Sequence, residues 1–234
     1  MFPSFSKQKG TEALIQKLSA RLSAHPLKST PLQDIVWMAF DMETNSLDYR
    51  KAVPLSIAVL PVTTLGYQPG QVFSALIRPN KDLVRVGASI HQLMPEQLSQ
   101  GKPEGEILEA LLDWLPEDKP LVWVGHHVRF DYEILQRIIQ RHASFKWKPA
   151  MVCTASMAIR LRHGIQARLE NMNGDFYKLE NLVAEYGLPG GARHSACSDA
   201  AACAQILLHQ LAILHKQEVT TLGQLMAYGK PIDH

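Results

Sequence analysis

Apolar positions recur with a helical period at the start of the chain and in strand-like runs soon after. Leu14, Leu18 and Leu22 are spaced by four within Thr11–Ala24, with Lys17 and Arg21 on other faces, which predicts a helix. Pro26 and Pro31 end it and lead into Val36-Trp37-Met38-Ala39-Phe40, an apolar run of strand length. Pro54–Val62 is the second predicted strand, with Leu55, Ile57, Val59 and Pro61 alternating with Ser56, Ala58 and Leu60. Gly66–Gly70 is turn material, and Gln71–Ile77 is the third strand, ended by Arg78-Pro79-Asn80. Strands joined by such short connections imply an antiparallel meander.

The pattern then becomes mainly helical. Ile90–Leu98 reads as a short helix or turn. Glu104–Leu115 is an amphipathic helix with Ile107, Leu108, Leu111, Leu112 and Leu115 on one side. Pro120–Gly125 is a fourth strand, Arg129–Arg141 the helix after it, and Lys148–Thr154 a short fifth strand. Helices follow over Ser156–Arg162, Phe176–Tyr186, His194–Lys216 and Thr220–Tyr228, with Gly164–Asp175 a polar loop and Gly187 a cap. The expected fold is α/β: a mixed five-stranded sheet flanked by helices, with the first, fourth and fifth strands parallel. The expected organisation is a helical appendage and linker over 1–34, one domain over 35–216 and a helical tail over 217–234. The appendage packs on the domain or on a partner, and the sequence does not choose between these.

Composition adds little and excludes some classes. The 234 residues are 46% hydrophobic and 20% charged, ordinary for a globular protein with a sizeable core. A formal net charge of +2 is no global basic signature, although an acidic site would offset a basic face in that sum. Cys153, Cys197 and Cys203 are odd in number and lack Cys-x-x-Cys spacing, which argues against a disulfide framework or a zinc site. A reducing, cytoplasmic setting is the default for such usage. Met1–Gly10 has no apolar core of signal-peptide length, and no later segment is expected to approach the length and apolarity of a membrane span.

The candidate chemistry begins where the first strand runs out. Asp41 and Glu43 are two residues apart, so on a strand both project from one face. Two adjacent buried negative charges cost several kcal/mol unless a cation lies between them. A divalent ion answers that, and oxygen ligands suit Mg²⁺ or Mn²⁺. Taken alone, the pair reads more readily as two solvated acids at an exposed strand end. A second apolar strand is followed by Asp131 in the first turn of a helix, behind Phe130. A third stretch places His194 five residues before Asp199, which is followed by a run of Ala and Cys. Small residues let a helix lie close to a sheet, which would bring Asp199 up to the first two acids.

The order Asp-x-Glu, then Asp, then His-x₄-Asp resembles the DEDDh family of 3′–5′ exonucleases, which includes the proofreading epsilon subunits of bacterial DNA polymerase III. The resemblance runs from about Val36 to Leu214. It includes Thr44 and Leu47, Ile90-His91-Gln92-Leu93 with Pro95-Glu96-Gln97-Leu98, and Lys178-Leu179-Glu180-Asn181-Leu182. Ser195 stands where the DEDDy class has Tyr. The chain departs from the family at His126-His127-Val128, where the family usually reads His-Asn-Ala, at Cys153 before Thr154, where it has Asp, and at Thr44-Asn45-Ser46, where it has Thr-Thr-Gly.

The resemblance implies a ribonuclease H-like sheet and two Mg²⁺ or Mn²⁺ ions held by Asp41, Glu43, Asp131 and Asp199. Asp41 would bridge the ions, Glu43 and Asp199 complete one, and Asp131 hold the other. His194 is then the general base. Thr44 and Leu47 would contact the terminal nucleotide, Leu47 as a wedge beside the base; Phe130 either joins them or packs in the core. Arg160, Arg162, His163 and Arg168 are the densest basic stretch, read as a phosphate-contacting surface or a solvated loop. The implied activity is removal of nucleoside 5′-monophosphates from single-stranded DNA 3′ ends. The alternatives are the same chemistry on RNA or short oligonucleotides, and an idle scaffold that binds a polymerase or other protein through Thr11–Ala24 or the tail. An idle copy has no reason to keep all five groups.

Overall fold

The computed structural model describes residues 5–23, 25–79, 93–117, 119–167, 174–190 and 195–232. Its centre is a six-stranded sheet. Strand β1 (Val36–Thr44) pairs antiparallel with β2 (Pro54–Thr63) on one side and parallel with β5 (Leu121–Gly125) on the other. β6 (Met151–Cys153) adds in parallel beyond β5. The far edge of β2 carries two short strands, β3 (Gly66–Tyr67) and β4 (Phe73–Leu76). The mixed sheet thus has the expected meander and parallel strands, plus one more strand. The extra strand, β3, lies in the stretch expected to be turn, and two residues are too few for an alternating pattern to show.

The parity of β1 sorts the core into two layers. Met38, Phe40 and Met42 face a cluster that includes Leu108, Leu112, Ile134 and Ile138. These come from α3 (Glu104–Trp114) and α4 (Arg129–His142), which cover that face. Leu14, Leu18 and Leu22 of α1 (Phe5–Leu22) are buried in the same layer, and Lys17 and Arg21 pair with Asp113 and Glu117. Trp37 and Ala39 face the opposite way, onto Cys203, Ala204, Leu207 and Leu211 of α7 (Ala196–His215) and Leu222 and Leu225 of α8 (Leu222–Gly229). Successive strand residues point to opposite faces, so Asp41 and Glu43 share the α7 side.

The remaining helices are α2 (Pro95–Ser99), α5 (Thr154–His163) and α6 (Leu179–Glu185). The helix expected over Phe176–Tyr186 is a 3₁₀ turn, Gly174–Tyr177, followed by α6, because Lys178 is extended at ψ 150°. Gly187 takes φ +63°, the left-handed conformation that ends a helix. Ile90-His91-Gln92 lies outside the described residues. One expectation needs correction: α7 is long and apolar enough to cross a membrane by length and composition. Half of it is buried within the protein, so its apolar character is accounted for by packing on β1 and β2.

Candidate active site

The carboxylates meet at the end of β1. Ligand oxygens of Asp41, Glu43 and Asp199 lie within 4.8 Å of one another. Two features of the sequence bring this about. The strand period puts Asp41 and Glu43 on one face. The small residues Ala200, Cys203 and Ala204, each 1% exposed or less, let α7 approach that face closely. Ser195 caps α7, its hydroxyl accepting from Ser198 N at 3.3 Å, and this fixes Asp199 in the first turn.

Asp131 arrives from the other direction. β5 pairs with β1 only from Val36 to Ala39, so the β1 edge beyond that point is open. Met42 N donates there to Asp131 Oδ1 at 3.0 Å. Gly125 permits the turn between β5 and α4, since a Cβ on it would lie 3.0 Å from Val128 Cα and Cβ. Burial pushes the Asp131 carboxyl up to about 8; the Met42 and Asp131 N–H groups oppose this, and the Glu43 charge adds to it.

His126 and His127 stand beside the acids. His126 Nε2 lies 2.8 Å from the Tyr177 carbonyl and Nδ1 lies 2.9 Å from Thr154 Oγ1. A carbonyl only accepts, so Nε2 carries the hydrogen. With both ring nitrogens engaged, His126 pins the β5–α4 turn to α5 and to Tyr177. His127 adopts φ +59°, a region where Asn and His are both enriched among non-glycine residues. That accounts for His standing where the DEDDh pattern has Asn. Cys153, in place of the usual Asp, caps α5 with Sγ 3.5 Å from Ser156 N.

A cleft of about 730 Å³ opens from Asp41 and Asp131 and is walled by Leu47, Tyr49, Phe130 and Ile232 among others. Leu47 is 79% exposed. Phe130 lines the cleft and packs on the core. Thr44 is buried at the strand end, its hydroxyl donating to Ser46 O. Arg160 and Arg162 are not brought to the acids. Arg160 Nη1 donates to the carbonyls of Tyr228 and Lys230, and Arg162 pairs with Glu185. His194 and Arg168 lie outside the described residues. Tyr49 and the Pro231–Ile232 wall were not anticipated. Tyr49 was visible as an aromatic in a polar turn, whereas no local pattern marks Pro231 and Ile232 as part of a site.

The family described as Exonuclease matches residues 38–207. The chain is 24% identical over 204 residues to the PolC-type DNA polymerase III of Thermotoga maritima, covering 86% of this chain and 14% of that protein. It thus spans about a seventh of that relative's length. It is 26% identical over 185 residues to the DNA polymerase III epsilon subunit of Treponema pallidum, covering 79% and 80% of the two chains. Among solved structures, the zinc-bound complex of Escherichia coli exonuclease I with single-stranded DNA has the same fold. Its TM-score is 0.62 at 16% identity, over 82% of this chain and 42% of that one. The nuclease domain of 3′hExo, described as a DEDDh family member bound to rAMP, has a TM-score of 0.58 at 14% identity, over 76% and 92%. With the family match covering most of the chain, this protein belongs to the exonuclease family.

Proposed function

We propose that the chain is a metal-dependent 3′–5′ exonuclease that acts on single-stranded DNA ends and releases nucleoside 5′-monophosphates. The observation that carries this reading is the convergence of Asp41, Glu43 and Asp199 within 4.8 Å, with Asp131 bonded to the edge of the same strand at Met42. Three carboxylates at that separation repel one another, and all are hard oxygen donors. Both properties fit Mg²⁺ or Mn²⁺. Bound there, such ions supply Lewis-acid stabilisation of the phosphoryl oxygens and a nucleophile at neutral pH.

The chain's own groups do the rest. Asp41, Glu43 and Asp199 would hold the cations, with Asp131 beside them, and the positive charge would favour the ionised form of all four carboxylates. Leu47 and Phe130 bracket the terminal base in the cleft, and the main chain at Thr44 orients the terminal sugar. The oxygen of water forms a new bond to phosphorus as the bond to the 3′-oxygen of the preceding nucleotide breaks. His194 takes the proton of that water, and the departing oxygen takes one from solvent. His126 is a poorer base because both of its ring nitrogens are engaged.

The test is a 5′-labelled single strand incubated with the purified chain. Stepwise shortening from the 3′ end with Mg²⁺ or Mn²⁺, and none in excess EDTA, is the expected result. A closed circular strand should survive, and a matched RNA strand should be cut more slowly. Full activity in EDTA would overturn the metal reading, and equal cutting of the circle would mark an endonuclease.

A further inference from the structure

A second cleft, of about 720 Å³, lies at the outer edge of the sheet beside β2 and β4. Its wall carries Lys51, Arg78, Arg137 and Arg141, with Glu104 and His142. These are four cationic side chains against one carboxylate, in a chain whose formal net charge is +2. Glu104 offsets only part of that charge. It accepts from Arg141 Nε and Nη2 at 2.7 and 2.6 Å and lies 3.1 Å from His142 Nε2. The Nη groups of Arg137 donate to the carbonyls of Arg50 and Ala52, which leave its charge unneutralised. Lys51 and Arg78 are exposed, and neither makes an ion pair among the described residues.

The two clefts share both of their dividing walls. Leu47 and Tyr49 line the acidic cleft while Lys51 lines the basic one, on the same loop. Asp131 lines the acidic cleft while Arg137 and Arg141 line the basic one, on the same helix. Six and ten residues of helix correspond to about 9 and 15 Å along its axis. Arg137 clamps the loop to the helix between them. A strand whose 3′ end lies among the acids can therefore carry its preceding phosphates over the loop and into the cationic cleft.

We infer that this basic cleft binds the phosphodiester backbone of the strand under digestion, upstream of the 3′ nucleotide. The inference rests on the exonuclease reading for the direction of the strand. The convergence of four cations from three separate segments stands without it.

The test compares Lys51→Glu/Arg78→Glu with a control, Lys146→Glu/Lys148→Glu, which has the same charge change at positions lining neither cleft. Binding of a labelled 20-mer single strand is measured by anisotropy in EDTA, so no hydrolysis is needed. A phosphate contact carries roughly half a decade of salt-sensitive affinity, so the first pair should bind about tenfold more weakly than the parent. Its salt slope should flatten by about 1.4, two contacts at roughly 0.7 each. With active enzyme and Mg²⁺, KM for the 20-mer should rise relative to KM for a dinucleotide, which has no phosphate beyond the scissile one. Lys51→Gln/Arg78→Gln gives a milder loss of the same kind and serves if the reversed pair folds poorly. Equal binding by the basic-cleft and control variants overturns the inference, even if 3′–5′ hydrolysis is intact. If the parent hydrolyses neither substrate while the binding difference holds, the exonuclease reading fails and the cleft stands.

Discussion

Ala58 stands directly across the β1–β2 ladder from Asp41 and is fully buried against Ala196 and Ala200 of α7. Asp199 precedes Ala200 on that helix, so the methyl group of Ala58 sets how near Asp199 comes to the strand acids. Ala58→Leu should push α7 outward. Overpacking of this kind costs about 1–3 kcal/mol, read as a lowered Tm. Exonuclease rate, measured where the variant is still folded, should fall by at least tenfold because the carboxylates separate. Ala58→Ser, nearly equal in volume, should keep most of the rate. Full activity in the Leu variant would show that the approach of α7 does not set the site.

Arg160 joins the tail to the cleft. Its Nη1 donates to Tyr228 O at 2.6 Å and Lys230 O at 2.5 Å, and Ile232 N donates to Ser156 Oγ at 3.1 Å. Burial lowers the affinity of this guanidinium for its proton, though Arg stays charged in proteins. Arg160→Ala should destabilise by about 1–2 kcal/mol, at the lower end for charged hydrogen bonds because the group is partly exposed. Hydrogen exchange should rise over residues 228–232, and KM should rise with little change in kcat, because Pro231 and Ile232 wall the cleft. If exchange rises and KM does not, the tail is packing only.

The Glu104 clamp at the basic cleft is pH-sensitive in a definite direction. Burial raises its carboxyl pKa, but the hydrogen bond and charge of Arg141, and then those of His142, outweigh burial and leave it below the usual range. A folded-state pKa depressed in this way gives stability that is present above about pH 4.5 and is lost as pH falls through the lower value. With Arg141 half-exposed, the contribution is about 0.5–1 kcal/mol. Glu104→Gln should lower stability by that amount at pH 7 and by progressively less as pH falls below about 4.5, in urea denaturation across that range. A difference that does not shrink with falling pH would assign the loss to packing rather than charge.

How much of this could be read beforehand differs from one residue to the next. The pairing of Asp41 with Glu43 follows from strand parity alone, and the approach of Asp199 from the small residues behind it. Both are local periodicities. Asp131 was legible only as an acid after a strand. The reason it faces the site, the open β1 edge past Ala39, belongs to the pairing register and has no local trace. The densest basic run in the chain reads as either a phosphate-contacting surface or a solvated loop, and of its described arginines Arg160 is engaged with the tail and Arg162 with Glu185. The cations that do converge on one cleft are scattered from Lys51 to Arg141, so only the fold assembles them. Tail residues such as Ile232 escape for the same reason.

The last prediction separates His194 from the carboxylates. His194 lies five residues before Asp199 and one before the capping Ser195, just ahead of the helix that carries Asp199. In the proposed reading it is not one of the cation's ligands, since Mg²⁺ prefers oxygen donors. The proposed task is proton removal from water, and losing a general base costs about 10²–10⁴-fold in rate. His194→Ala should therefore lower kcat by that order while metal and oligonucleotide affinities stay near those of the parent. Asp199→Ala should instead weaken metal binding, because it removes one of the three oxygen donors that meet within 4.8 Å. Metal titration by calorimetry and single-turnover rates on both variants make the comparison. If His194→Ala loses metal as badly as Asp199→Ala does, the histidine is a ligand or a structural prop. If it keeps the parent rate, another group is the base, and the His-x₄-Asp spacing does not carry the chemistry assigned to it.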